Sequence, residues 1–113
     1  MNVNEKVAIV TGAGGGMGKV VVEQFLAQGA KVAGIDIQID GLAELETQYP
    51  EQLLVIQGNL ADEENVESAI KETAETFGRI DVLANVAGIA QAATDIESFF
   101  RFFYSRFDVF FIC

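Results

Sequence analysis

The most constraining stretch of this chain runs from Val7 to Gly18 and reads VAIVTGAGGGMG. Four apolar residues, Val7 to Val10, suit a short strand buried on both faces. A glycine cluster follows from Gly12 to Gly18 and opens onto a helical pattern, Lys19-Val20-Val21-Val22-Glu23-Gln24-Phe25-Leu26. Strand, glycine turn and helix together make a cradle for an anionic group such as a phosphate. Glycine permits close backbone approach and positive φ without steric penalty. The unpaired N–H groups and the positive end of the helix dipole then face the anion. The same turn also serves as a plain strand-to-helix connection, so its meaning depends on the rest of the chain.

The spacing of the glycines narrows the choice. G-x-G-x-x-G, started at Gly12 and Gly14, fails because Met17 stands where the third glycine belongs. A P-loop fails as well, since no Gly-Lys-Ser or Gly-Lys-Thr follows. The pattern that fits is T-G-x-x-x-G-x-G, carried by Thr11, Gly12, Gly16 and Gly18.

Past the turn, helical and extended patterns alternate. Gln28-Gly29-Ala30 ends the first helix with glycine in the C′ region, and Lys31 to Asp36 is a second apolar run that stops in an acid. Leu42, Leu45 and Tyr49 recur at helical spacing over 41–49, and Pro50 closes that segment. Leu53 to Ile56 is a third strand candidate. Asp62 is placed to cap a helix carrying Val66, Ile70, Ala74 and Phe77, which Gly78 terminates; Ile80 to Ala84 is the fourth strand candidate. Apolar strands alternating with helices predict an α/β fold, a doubly wound, Rossmann-type parallel sheet with helices on both faces. On this reading residues 1–91 form an incomplete nucleotide-binding domain, and 92–113 are a separate, atypical segment.

Composition restricts the function classes. The chain has 113 residues, half of them hydrophobic, which is enough for one small domain with a core. Its net charge of −10 and lack of histidine argue against a nucleic-acid partner, whose phosphates need a basic face. No apolar run approaches the roughly 18 residues of a membrane span. The first residues lack the basic and apolar regions of a signal peptide, and the lone Cys113 points to a reducing compartment, so a cytoplasmic location is expected. No metal site is expected.

Three further positions carry candidate chemistry. Asp36 ends the second strand, which in a doubly wound fold lies beside the adenosine ribose. A carboxylate there accepts hydrogen bonds from ribose hydroxyls, each worth roughly 1.5–3 kcal/mol, and repels a 2′-phosphate. It therefore selects NAD over NADP, in keeping with Gly15 and Ile37 standing where a basic residue could hold that phosphate. The alternative is an ordinary solvated acid. Asn59 and Leu60 follow the third strand; Asn59 offers an amide to an adenine edge, or simply starts a turn ahead of the Asp62 cap. Asn85-Val86-Ala87-Gly88 ends the fourth strand, and its small residues allow close backbone approach.

In order and spacing, these elements resemble the short-chain dehydrogenase/reductase family from about Val7 to Gly88. Asn59-Leu60 is similar to that family's Asp-Val/Leu pair along the adenine ring, with Asn in place of Asp. Asn85 to Gly88 is similar to its Asn-Asn-Ala-Gly motif, with Val86 in place of the second Asn. The resemblance implies that Gly12, Gly16, Met17 and Gly18 lie against the pyrophosphate and Asp36 on the ribose. Ala87 and Gly88 then approach the nicotinamide-side ribose. Asn85 is either a contact or a brace, and Thr11 fixes the turn against the fourth strand. It further implies an oxidoreductase that moves hydride between a nicotinamide cofactor and a small alcohol or ketone.

The catalytic set of that family is not in this sequence. Its members are about twice this length, and beyond the fourth strand they carry an Asn, a Ser and then Tyr-x-x-x-Lys. Here Leu53 stands four residues after Tyr49, and Asp108 four after Tyr104. No catalytic residue is expected in this chain, which leaves a non-catalytic cofactor-binding or oligomerisation module as the alternative. Seven of the nine phenylalanines fall between Phe99 and Phe111, an abrupt change that reads as a truncated or frame-shifted end. The fourth strand is expected to be an uncovered sheet edge, which association with a second copy could cover.

Overall fold

The computed structural model describes residues 4–59, 62–85 and 110–112. Strand β1 (Val7–Thr11) leads through the glycine turn into helix α1 (Gly16–Ala27), then β2 (Lys31–Asp36). A 3-10 turn over Asp40–Leu42 feeds the short helix α2 (Ala43–Gln48), followed by β3 (Leu53–Gln57), α3 (Glu63–Phe77), β4 (Val82–Asn85) and β5 (Phe110–Ile112). The five strands form one sheet in the order β3-β2-β1-β4-β5, with every pairing parallel. β1 is the central strand and all five of its residues are buried, as expected for a strand covered on both faces.

Alternation along the strands divides the core into two layers. Ala8 and Val10 of β1, with Val32, Leu53 and Val82, face Val22, Phe25 and Leu26 of α1 and Leu45 of α2. Ile9, Ala33, Ile35 and Leu83 face the opposite side and meet Val66, Ala69 and Ile70 of α3. Helices α1 and α2 therefore cover one face and α3 the other. The chain winds outward from β1 to β3 on one side, and α3 carries it back across the sheet to β4 on the other. That reversal is the doubly wound topology, and its crevice opens where the carboxyl ends of β1 and β4 diverge. Each fully buried Ile, Leu or Val contributes about 1.5–3 kcal/mol against exposure, so these two layers hold the sheet that positions the crevice.

Element boundaries follow local chemistry. α1 begins at Gly16, three residues before the apolar helical pattern, so the second half of the glycine cluster is its first turn. Gly29 (φ +89) and Gly78 (φ +83) take the left-handed conformation after α1 and α3. The segment 41–49 divides into a 3-10 turn and six helical residues, with Tyr49 as the cap. β4 starts at Val82 because Asp81 closes the end of β1: the Val7 amide donates to Asp81 Oδ2 (3.0 Å) and the Asp81 amide to the Val7 carbonyl (2.8 Å). Across the base of the sheet, Gln52 Nε2 donates to the Leu26 and Ala30 carbonyls (3.3 and 3.0 Å).

One expectation is overturned. β4 is not an open edge, because Phe110–Ile112 pair with Val82–Ala84 in register. The apolar tail supplies its own flanking strand, and the need for a second copy at that edge disappears. The remainder of the Phe-rich segment 92–113 lies outside the described residues.

Candidate functional site

The candidate site is assembled at the carboxyl ends of β1 and β2. Gly12, the first residue after β1, adopts φ +67, a left-handed conformation that favours glycine. The turn is closed by the Gly15 amide donating to the Gly12 carbonyl (3.2 Å) and is fastened to β2 by the Ala13 amide donating to the Ile35 carbonyl (3.2 Å). Gly18 lies buried in the first turn of α1, directly over Gly12. A Cβ added at Gly18 would overlap the Gly12 carbonyl and approach the Ala13 Cα to 2.9 Å. Gly18 therefore sets how closely helix and turn pack.

Gly16 differs. It is exposed, and among the described residues a Cβ there would meet nothing within 4 Å. Met17 beside it is 74% exposed. Gly15 occupies the N-cap position of α1, where no side chain caps the helix and no acid stands in the first turn. The first intrahelical-type bond in this turn is from the Lys19 amide to the Gly15 carbonyl (2.9 Å), so helix geometry leaves the amides of Gly16, Met17 and Gly18 pointing outward. Dipole and open donors together give this turn a positive end with room in front of it.

Asp36 stands at the edge of this turn, half-buried at the end of β2. Its Oδ2 accepts from the Gly14 amide (2.9 Å), and its Oδ1 accepts from the amides of Ile37 (2.6 Å) and Gln38 (3.4 Å). Three backbone donors thus hold the carboxylate against the glycine turn. The neighbouring Ile37 side chain is 57% exposed and carries no charge. From the other side, the Gly58 amide donates to the Asp36 carbonyl and Gln57 Nε2 to the Ile37 carbonyl, both at 3.0 Å.

Asn59 lies exposed just after β3, and its carbonyl accepts from the Asp62 amide (3.0 Å). Asp62 caps α3, with Oδ1 accepting from the Glu64 amide (3.0 Å). Thr11 is fully buried at the end of β1 and lies in register with Asn85 at the end of β4, where the crevice opens. The structure thus brings Gly12, Gly16, Met17, Gly18 and Asp36 together at one edge. Leu60, Ala87 and Gly88 lie outside the described residues, as does the side chain of Asn85. Tyr49 packs against the core layer under α1 and α2, as a structural residue. Among the described residues no group of His, Cys, Asp or Glu is placed to hold a metal, and no helix is long and apolar enough to cross a membrane.

The motif pattern missed Gly14. Its amide bonds Asp36, and a Cβ at this position would overlap the Gln38 carbonyl and lie 3.1 Å from Asp36 Oδ2. The sequence signal that could have found it is the run of glycines itself, which exceeds what T-G-x-x-x-G-x-G requires.

Comparison with known proteins gives a consistent outcome. A family model described as short chain dehydrogenase matches residues 6–108. Human 15-hydroxyprostaglandin dehydrogenase [NAD(+)] is 39% identical over 94 residues, covering 79% of this chain and 35% of that protein. The 2-(R)-hydroxypropyl-CoM dehydrogenase of Xanthobacter autotrophicus is 43% identical over 88 residues, covering 74% of this chain and 35% of that protein. Among solved structures, KRED1-Pglu superposes with a TM-score of 0.82 at 25% identity, over 95% of this chain and 55% of that one. The 3-ketoacyl-(acyl-carrier-protein) reductase from Brucella melitensis, complexed with NADH, gives a TM-score of 0.68 at 29% identity, over 73% of this chain and 34% of that one. The chain spans about a third of the length of the curated relatives it matches.

Proposed function

The chain belongs to the short-chain dehydrogenase family, and we propose that it carries the NAD(H)-binding part of an oxidoreductase that interconverts a secondary alcohol and a ketone. The observation that carries this reading is the anchored Asp36 carboxylate, 2.9 Å from the Gly14 amide, beside a helix start with no cap of its own. The groups present fit such a cofactor. Open space in front of Gly16 and the outward amides of Gly16, Met17 and Gly18 suit a pyrophosphate. Asp36 suits an unmodified ribose and disfavours a 2′-phosphate, whose charge neither Gly15 nor the exposed Ile37 can offset. Asn59 and Leu60 are assigned to the adenine side, and Asn85, Ala87 and Gly88 to the nicotinamide side. When bound, the nicotinamide supplies the hydride acceptor or donor; these residues bind and orient it.

Two relatives named for NAD(+) and NADH support the cofactor class, and the dehydrogenases and reductases among them support the reaction class. Neither tyrosine of the 113 residues is followed at the fourth position by lysine, so this chain by itself is assigned binding and no proton transfer to substrate. A fluorescence titration of the 113-residue chain with NADH and with NADPH tests the reading. Saturable binding with NADH favoured by roughly tenfold or more is expected from one charged contact. Preference for NADPH would sink the role given to Asp36, and binding of neither would sink the claim that this part of the family fold forms the pocket by itself.

A further inference from the structure

The residue in closest command of Asp36 is one that the family's glycine pattern does not require. Resting on the NAD(H) reading above, we propose that Gly14 is a positioning residue for Asp36, so that discrimination between NADH and NADPH is set at position 14 as well as at position 36. Two properties of Gly14 do this. Its amide donates to Asp36 Oδ2 at 2.9 Å, while Ile37 and Gln38 amides occupy Oδ1. A carboxylate has about four acceptor sites, so among the described residues Oδ2 keeps one open, presented next to the glycine turn. The orientation of that site depends on the bond from Gly14.

The missing Cβ is the second property. The Gln38 carbonyl packs so closely on Gly14 that any side chain would overlap it. The turn from Asp36 to Gln38 has little room to retreat, because β3 holds it through the Gly58 amide and Gln57 Nε2, each at 3.0 Å. A methyl group at position 14 therefore pushes on the turn whose own amides hold Oδ1, and at 3.1 Å it also crowds Oδ2. Both grips on the carboxylate are disturbed while its charge remains. Position 14 has no positive φ, so the effect arises from contact and not from backbone strain.

The test is the ratio of NADH to NADPH dissociation constants, measured by fluorescence titration on the 113-residue chain, Gly14→Ala and Asp36→Glu, with the fold of each checked by circular dichroism. Gly14→Ala is expected to narrow the wild-type preference for NADH by roughly tenfold, chiefly through weaker NADH binding. Asp36→Glu keeps the charge, leaves Gly14 itself unchanged and moves the carboxylate by one methylene; the preference is expected to narrow there as well. Merely structural damage lowers both affinities alike and leaves the ratio unchanged. A folded Gly14→Ala that keeps the wild-type ratio overturns the proposal and leaves the cofactor reading standing. Should Gly14→Ala not fold, a wild-type ratio in Asp36→Glu overturns it instead. A wild-type chain that binds neither nucleotide, or prefers NADPH, removes the cofactor reading first and the role of Gly14 with it.

Discussion

Helices α1 and α3 both start at the carboxyl edge of the sheet, and their first turns are built in opposite ways. α3 is self-sufficient: Asp62 accepts from the Glu64 amide at 3.0 Å, and Glu63 and Glu64 place negative charge on the positive end of the dipole. α1 has glycine at its N-cap, no side-chain acceptor and no acid in its first turn. Compared with glycine, an Asp cap adds only a few tenths of a kcal/mol, and acids in the first turn add about 0.3–1 kcal/mol more, so α1 forgoes stability that α3 collects. The lesson is that open donors on α1 are a feature of the site and not of βα turns in general. The same chain solves the same local problem with its own carboxylates where no anionic group of a ligand is expected.

The largest expected effect separates two glycines of the α1 turn. Gly18→Ala drives a methyl group into the Gly12 carbonyl and should cost about 1–3 kcal/mol or more of unfolding free energy in urea titration, with cofactor binding lost alongside. Gly16→Ala meets open space and sits within the helix, so stability should stay level or rise by about 0.5–1 kcal/mol. NADH binding should nevertheless weaken, because the space filled is the space assigned to the pyrophosphate. Equal destabilisation by the two would erase the distinction between a packing glycine and a site glycine.

A smaller effect comes from exchanging the two helix starts. Gly15 has extended backbone (φ −84, ψ 172), and a Cβ there makes only an ordinary 3.6 Å contact with the Gly12 carbonyl. Gly15→Asp should therefore give α1 a cap like that of α3, raising stability by about 0.5–1 kcal/mol while weakening NADH binding through repulsion of the pyrophosphate. Asp62→Ala should lower stability by about 1 kcal/mol and leave the NADH dissociation constant unchanged. Thermal unfolding paired with nucleotide titration reads both. If Gly15→Asp tightened NADH binding, the open turn would not be an anion site.

How much of this was legible in the sequence varies with the range of the interaction. The strands, the winding and the Asp62 cap follow from period and capping chemistry, which act over a few residues. The approach of Gly14 to Asp36 spans 22 positions and depends on how far α1 and β2 close over the sheet, which no local pattern states. Gly14, the second glycine of the turn, was therefore visible as a residue but not as a contact. β4 looked like an exposed edge for the same reason. Its partner, Phe110–Ile112, lies far along the chain in the Phe-rich segment, whose abrupt composition reads as an altered end and not as a strand.

The smallest expected effect lies at the opposite end of the sheet and sharpens the contrast by being indifferent to cofactor. Burial pushes the Asp81 carboxyl up. Arg79, bonded at 2.7 Å, together with the Val7 amide and the nearby Lys6, outweighs this and holds it below the ordinary carboxylate value. A carboxylate depressed in the folded state adds stability that is fully present above its unfolded value, near pH 4, and fades as pH falls through the lower folded value. The Arg79 side chain is largely exposed, so the contribution should be under about 1 kcal/mol and shrink in salt. Asp81→Asn should accordingly be slightly less stable than wild type at pH 7, with the gap closing as pH drops below 4 and as ionic strength rises. NADH binding at pH 7 should be the same in both proteins, since Asp81 fastens the amino end of β1 and the site is built at its carboxyl end. A gap that widened on acidification would reverse the assigned direction of the shift. A change in NADH affinity would mean that the two ends of β1 are coupled, and that the open turn of α1 draws on the closed lock beneath it.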